Sequence, residues 1–122
     1  MYLKVPAGYK TNLYGQGFFG KEENQMSYFP MFIELKDKPC LIAGGGKIAL
    51  RKAETLLEFG AWVTVVAPDI LPELRAEEGI VCREKRFESC DLTGQELVVA
   101  ATGDPEENHR ISRACRDRKI PV

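Results

Sequence analysis

The chain has 122 residues, 44% of them hydrophobic, with a formal net charge of -1 and a pI near 5.9. That is apolar material for one modest core and no second one. The near-neutral balance excludes a general pull toward nucleic acid or an anionic membrane. Apolar runs are strand-sized and no signal-like start is present, so the expectation is a cytoplasmic protein.

Residues 1–25 are rich in glycine and aromatic side chains (Tyr2, Tyr9, Tyr14, Phe18, Phe19) without a clear period. They read as a flexible extension, with the domain proper at 26–122. Residues 28–35 are an apolar approach segment, and Lys36, Asp37 and Lys38 make a charged turn. Residues 39–43 then form a short apolar run of the kind buried in a parallel sheet. It stops at Gly44, Gly45 and Gly46, which lead into a helix whose apolar positions recur at Ala49, Ala53, Leu56 and Leu57. Gly60 is placed to end that helix in the left-handed conformation. Residues 62–66 are a β-branched run, which completes a βαβ unit.

The turn reads as G-x-G-x-x-A, with Gly44, Gly46 and Ala49 as its small residues. Gly44 allows a tight turn off the strand, Gly46 lets a diphosphate approach the backbone, and Ala49 lets the helix pack close to the sheet. The helix N-terminus supplies unpaired N–H groups and the positive end of its dipole. A standard site of this kind has an acid at the end of the second strand to hold the ribose hydroxyls, whereas here Val66, Ala67 and Pro68 stand there and Asp69 falls beyond. No arginine stands near enough in the sequence to accept a 2′-phosphate. The motif alone therefore does not separate NAD from NADP.

Further on, residues 68–78 contain a short amphipathic turn ending at Gly79, and residues 80–87 are extended but charged beyond Cys82, as suits an edge strand. Residues 96–102 return to the buried pattern and form a fourth strand. Its carboxyl end carries Thr102 and Gly103, expected across from the glycine turn on the nicotinamide side. Asp104, Pro105 and Glu107 spell a helix start, which makes Asp104 a cap rather than a catalyst. His109, the single histidine, has no partner at a spacing that declares a catalytic set. Residues 119–122 resemble the opening of a fifth strand. Cys40, Cys82, Cys90 and Cys115 show no C-x-x-C pairing and read as reduced thiols, so no metal site is assigned. The fold class is α/β, a Rossmann-like doubly wound parallel sheet, incomplete at its fifth strand.

Two stretches together resemble a known family. YFPMFIELKDKPCLIAGGGKIALRKAETLLEFGAWVTVVAP (28–68) and VVAATGDPEENHRISRACRDRKIPV (98–122) resemble the amino-terminal module of siroheme synthase, found alone as precorrin-2 dehydrogenase. The resemblance implies NAD-dependent oxidation of precorrin-2 to sirohydrochlorin, with insertion of ferrous iron by the complete protein, and a homodimer. It implies cofactor contacts at Lys47 and Ile48 after the glycines and at Pro68 and Asp69 after the second strand. Gly44, Gly45, Gly46 and Thr102 complete the expected site. A basic lining from Arg51, Lys52, Arg110 or Arg113 suits a substrate with many carboxylates. In the family the fifth strand continues as N-V-V-D, whose Asp is assigned the chemistry. That run is absent from residues 1–122, so no catalytic residue is assigned and these residues alone are expected to bind NAD without oxidising precorrin-2. The alternative reading is a non-catalytic NAD-binding regulatory module.

Overall fold

The computed structural model describes residues 2–4 and 28–122. Contacts divide the chain into two units, Met1–Ile33 and Glu34–Val122. In the first, β1 (Tyr2–Lys4) pairs antiparallel with β2 (Tyr28–Pro30), Leu3 opposite Phe29. Apart from β1, the extension expected over residues 1–25 lies outside the described residues.

The second unit runs β3 (Pro39–Ala43), α1 (Lys47–Glu58), β4 (Trp62–Ala67), α2 (Pro72–Ala76), β5 (Ile80–Glu84), a 3-10 turn (Ser89–Leu92), β6 (Leu97–Ala100) and α3 (Pro105–Asp117). Its four strands are all parallel, in the order β5-β4-β3-β6. This is the doubly wound arrangement expected from the sequence. Successive side chains of a strand point to opposite faces. Cys40, Ile42, Val63 and Val65 therefore join α1 and α2 in one core, with Ala49, Ala53, Leu56 and Leu74. Leu41, Ala43, Val66 and Val98 form the other with Phe87, Leu92 and, from α3, Ile111 and Cys115. Burial on both faces is why these strands lack alternation and read as continuous apolar runs. Burial also pushes the Cys40 and Cys115 thiols up to about 11, so both stay protonated at neutral pH.

Two expectations are modified. The extended run at 80–87 ends at Glu84, because Phe87 turns into the second core and is only 6% exposed. β5 is nevertheless an edge strand, and its Glu84 pairs with Arg75 of α2 at 2.8 Å. The fifth strand expected at 119–122 is not formed as a strand among the described residues; one ladder-like bond runs from the Val98 N–H to the Pro121 carbonyl at 2.9 Å.

α1 stops where Gly60 predicts. The Gly60 N–H bonds to the Leu57 carbonyl at 2.9 Å and the Ala61 N–H to that of Leu56 at 3.1 Å, with Gly60 at φ +82. These are the two bonds of a Schellman motif, which needs a left-handed residue at its centre. Gly60→Ala is expected to lower stability by about 1 kcal/mol, read by chemical denaturation, because an L side chain resists that conformation.

Candidate functional site

A cavity of about 550 Å³ opens at the carboxyl ends of the strands. It lies where the chain leaves β3 toward β4 on one side and later returns to β6 on the other, the switch point at which open α/β sheets bind ligands. Its walls are the glycine turn, the 66–72 stretch at the end of β4, Arg86 and Phe87 after β5, and Thr102, Asp104 and Glu107 at the start of α3.

The three glycines serve three different constraints. Gly44 has φ +140, and a Cβ there would lie 2.0 Å from the Ala101 carbonyl oxygen. Gly45 has an ordinary φ, but its Cβ would lie 2.1 Å from the Asp69 carbonyl oxygen, and its own carbonyl accepts the Leu71 N–H at 2.9 Å. Both are required by contact between backbones. Gly46 is different: its φ of -96 suits any residue, and a Cβ would meet nothing within 4 Å. The fold does not need a glycine there. What the missing side chain preserves is open space in front of the helix, as the sequence motif implies, whereas the packing role of Gly45 is visible only in three dimensions.

Gly46 is also the N-cap of α1, which has no side-chain cap and no acid in its first turn. The first intrahelical bond is from the Leu50 N–H to the Gly46 carbonyl at 3.0 Å, so the N–H groups of Lys47, Ile48 and Ala49 have no helical acceptor. Among the described residues nothing caps or neutralises the positive end of this dipole. α3 begins at the same end of the sheet in the opposite state. Asp104 Oδ1 accepts the Glu106 N–H at 3.0 Å, Pro105 occupies the first position, and Glu106 and Glu107 place acids in the first turn. The Asp104 cap is as expected, but the reciprocal half is not made by Glu107. That carboxylate takes two bonds from Arg110, at 2.6 and 3.0 Å, while the Asp104 N–H donates to Thr102 Oγ1 at 3.2 Å. Arg110, with a smaller contribution from the charge of Arg86, holds the Glu107 carboxyl below its ordinary range.

Of the residues expected at a site, Gly44, Gly45, Gly46, Pro68, Asp69 and Thr102 line this one cavity. Lys47 and Ile48 are not on its wall; they sit in the first turn of α1, the Ile48 side chain 64% exposed, so only their backbone is directed by the helix start. Arg51, Lys52, Arg110 and Arg113 also stand off the lining. Arg86 is on it, contrary to the expectation that no arginine stands near. Within the R-E-K-R run it reads as edge-strand charge, and nothing in that run shows that burial of Phe87 carries its neighbour to the cavity. Asn108 is a second residue that sequence reasoning undervalues: its Oδ1 accepts both the Thr102 N–H at 3.0 Å and the Thr102 hydroxyl at 2.6 Å. His109 is exposed. Among the described residues no cluster of His, Cys, Asp or Glu is placed to hold a metal ion, and no helix is long and apolar enough to cross a membrane.

Residues 31–122 match a family model described as "Putative NAD(P)-binding". The chain is 44% identical over 100 residues to a siroheme synthase of Thioalkalivibrio sulfidiphilus, which covers 80% of the chain and 20% of that protein. It is 46% identical over 100 residues to the siroheme synthase of Methylobacillus flagellatus, covering 80% of the chain and 21% of that protein. The chain thus spans about a fifth of the length of these curated relatives. Among solved structures, SirC, a precorrin-2 dehydrogenase, superposes with a TM-score of 0.62 at 31% identity, covering 69% of this chain and 44% of that one.

Because Asp104 caps α3 by accepting the Glu106 N–H, Asp104→Ala is expected to lower stability by about 1 kcal/mol, read from the thermal or urea midpoint. An unchanged midpoint would show that the cap contributes nothing.

Proposed function

The chain belongs to the NAD(P)-binding family matched by its residues 31–122, and from that premise we propose that it is the NAD-binding module of an enzyme that oxidises precorrin-2 to sirohydrochlorin in siroheme biosynthesis. The observation that carries the nucleotide half is the helix start of α1: uncapped, free of acids, and fronted by a glycine whose absent side chain leaves open space. A diphosphate fits that combination, since it brings negative charge and acceptor oxygens to N–H groups that have no acceptor within the helix. The siroheme half is supported by likeness to the two siroheme synthases and to the precorrin-2 dehydrogenase.

In this reading residues 26–122 form the nucleotide-binding domain. The backbone of Gly44, Gly45, Gly46, Lys47 and Ile48 receives the diphosphate. Pro68 and Asp69, beyond the end of β4, border the adenosine side. Thr102, at the end of β6, borders the nicotinamide side. When bound, NAD supplies the hydride acceptor. The role of this module is to hold the acceptor at a defined place and to bury part of it away from water. No catalytic residue is assigned within residues 1–122. Precorrin-2 as substrate, ferrous iron as the substrate of a chelation step in the complete protein, a homodimer and a cytoplasmic location belong to the same proposal.

Gly46→Val separates binding from folding, because its Cβ meets no protein atom. The variant is expected to stay within about 1 kcal/mol of the parent stability and to lose NAD binding by more than tenfold in calorimetric titration. Unchanged affinity in a folded variant would refute the site. For the activity, the protein that carries this module is expected to form NADH, followed by its absorbance, when given precorrin-2 and NAD. Absence of NADH despite tight NAD binding would leave a nucleotide-binding module of another function.

A further inference from the structure

We propose that Asn108 is a positioning residue that makes the Thr102 hydroxyl a hydrogen-bond acceptor toward the ligand, so that this corner of the cavity selects an N–H or O–H donor on the pyridine-nucleoside end of the dinucleotide. The inference rests on the nucleotide reading above and adds to it a residue and a polarity.

The orientation of the Asn108 amide is determined by its partner. The Thr102 backbone N–H, 3.0 Å away, can only donate, so the group facing it is Oδ1 and not the NH₂. That oxygen is also 2.6 Å from Thr102 Oγ1. Two oxygens that close, one of them an amide carbonyl without a proton, share the hydroxyl hydrogen, and the hydroxyl is the donor. Thr102 Oγ1 lies 3.2 Å from the Asp104 carbonyl as well, but it has one proton, and the shorter contact takes it. One Oγ1 lone pair is engaged by the Asp104 N–H at 3.2 Å. The other remains. Both donors of Thr102 are therefore consumed by Asn108, and what its side chain offers to the cavity is an acceptor. A phosphate or carboxylate oxygen is rejected there, and a donor is accepted.

The pyridine-nucleoside end carries two kinds of donor, the carboxamide N–H and the ribose hydroxyls. Titrations of wild type, Thr102→Val, Asn108→Leu, Asn108→Asp and the Thr102→Val/Asn108→Leu double variant with NAD, with its 3-acetylpyridine analogue and with ADP separate them, each variant first checked for a folded thermal transition. Thr102→Val and Asn108→Leu are each expected to weaken NAD roughly tenfold, and the double variant no more than either, since both act through one bond. Asn108→Asp, which keeps the accepting oxygen, is expected to retain NAD affinity within about threefold. ADP, which lacks the pyridine nucleoside, is expected to bind all five proteins alike.

If the acceptor meets the carboxamide, wild type prefers NAD over the acetylpyridine analogue, which has a methyl in place of the NH₂, and Thr102→Val abolishes the preference. If it meets a ribose hydroxyl, Thr102→Val weakens both dinucleotides equally. A merely structural role for Asn108 would move ADP and NAD together and overturn the proposal, as would folded Thr102→Val and Asn108→Leu proteins that bind NAD like wild type. A wild-type chain that binds neither ADP nor NAD would overturn the nucleotide reading together with this one, an outcome distinct from both.

Discussion

The approach of the Ala101 carbonyl to the α carbon of Gly44 is the constraint on which the rest of the site depends. A side chain on Gly44 would stand 2.0 Å from that oxygen, well inside any permissible contact. The approach exists because β6 pairs with β3 in register, Ala43 opposite Ala100, and the Ala101 N–H continues the ladder to the Ala43 carbonyl at 2.8 Å. On the other side Gly45 meets the Asp69 backbone in the same way. Three strand ends are thus joined by backbone contacts that only glycine permits, and the cavity is the space that remains above them. Its walls are placed by main-chain packing and move little with the choice of surface side chains.

Electrostatics then divides that space. Three helices begin at this end of the sheet: α2 has Glu73 in its first turn and α3 is neutralised through Asp104, Glu106 and Glu107. α1 has neither cap nor acid. An anion entering the cavity therefore encounters one helix start free of acids and two that carry them, which gives an elongated anionic ligand a direction as well as a place. The carboxylates of Asp104 and Glu107 at the start of α3 belong to residues lining the cavity and are already engaged, Glu107 by Arg110 and Asp104 by the helix backbone.

The return from β5 to β6 is economical. Where a doubly wound fold usually carries a crossover helix, this chain has one 3-10 turn, closed by Glu88 and Asp91 in a reciprocal cap and tied by Lys85 to the Asp91 carboxylate at 2.9 Å. Asp91 is only 8% exposed, and a buried carboxylate of this kind is tolerable because it accepts both a backbone N–H at 2.8 Å and the Lys85 ammonium. Phe87 fills the core space beneath, its carbonyl accepting from Arg110. Arg86, between these two anchors, is brought to the cavity by the way its neighbours are held.

How much of this was readable from the sequence follows from the range of the forces involved. Local rules sufficed for the βαβ unit, the Gly60 stop, the Asp104 cap and the glycine turn, because each is a matter of dihedral preference, apolar period or a bond within a few residues. The fold class, which brings strand carboxyl ends together, sufficed to gather Gly44, Gly46 and Thr102, and the family resemblance added Pro68 and Asp69. What they could not supply was contact between segments distant in sequence. That Gly45 is pressed against Asp69 and that Arg86 reaches the cavity because Phe87 is buried both depend on which backbones pack side by side, whereas Glu107 and Arg110 meet within α3, three residues apart. Asn108 stands between the two cases: six residues from Thr102, it belongs to the second stretch that carries the family resemblance, but its hold on the threonine is seen only where the turn after β6 folds back over the first turn of α3. The sequence by itself determined the elements and their ends, where each residue's own conformational energy decides. The tertiary structure decided which polar groups face the cavity, because hydrogen bonds between remote groups are settled only once the core has placed them.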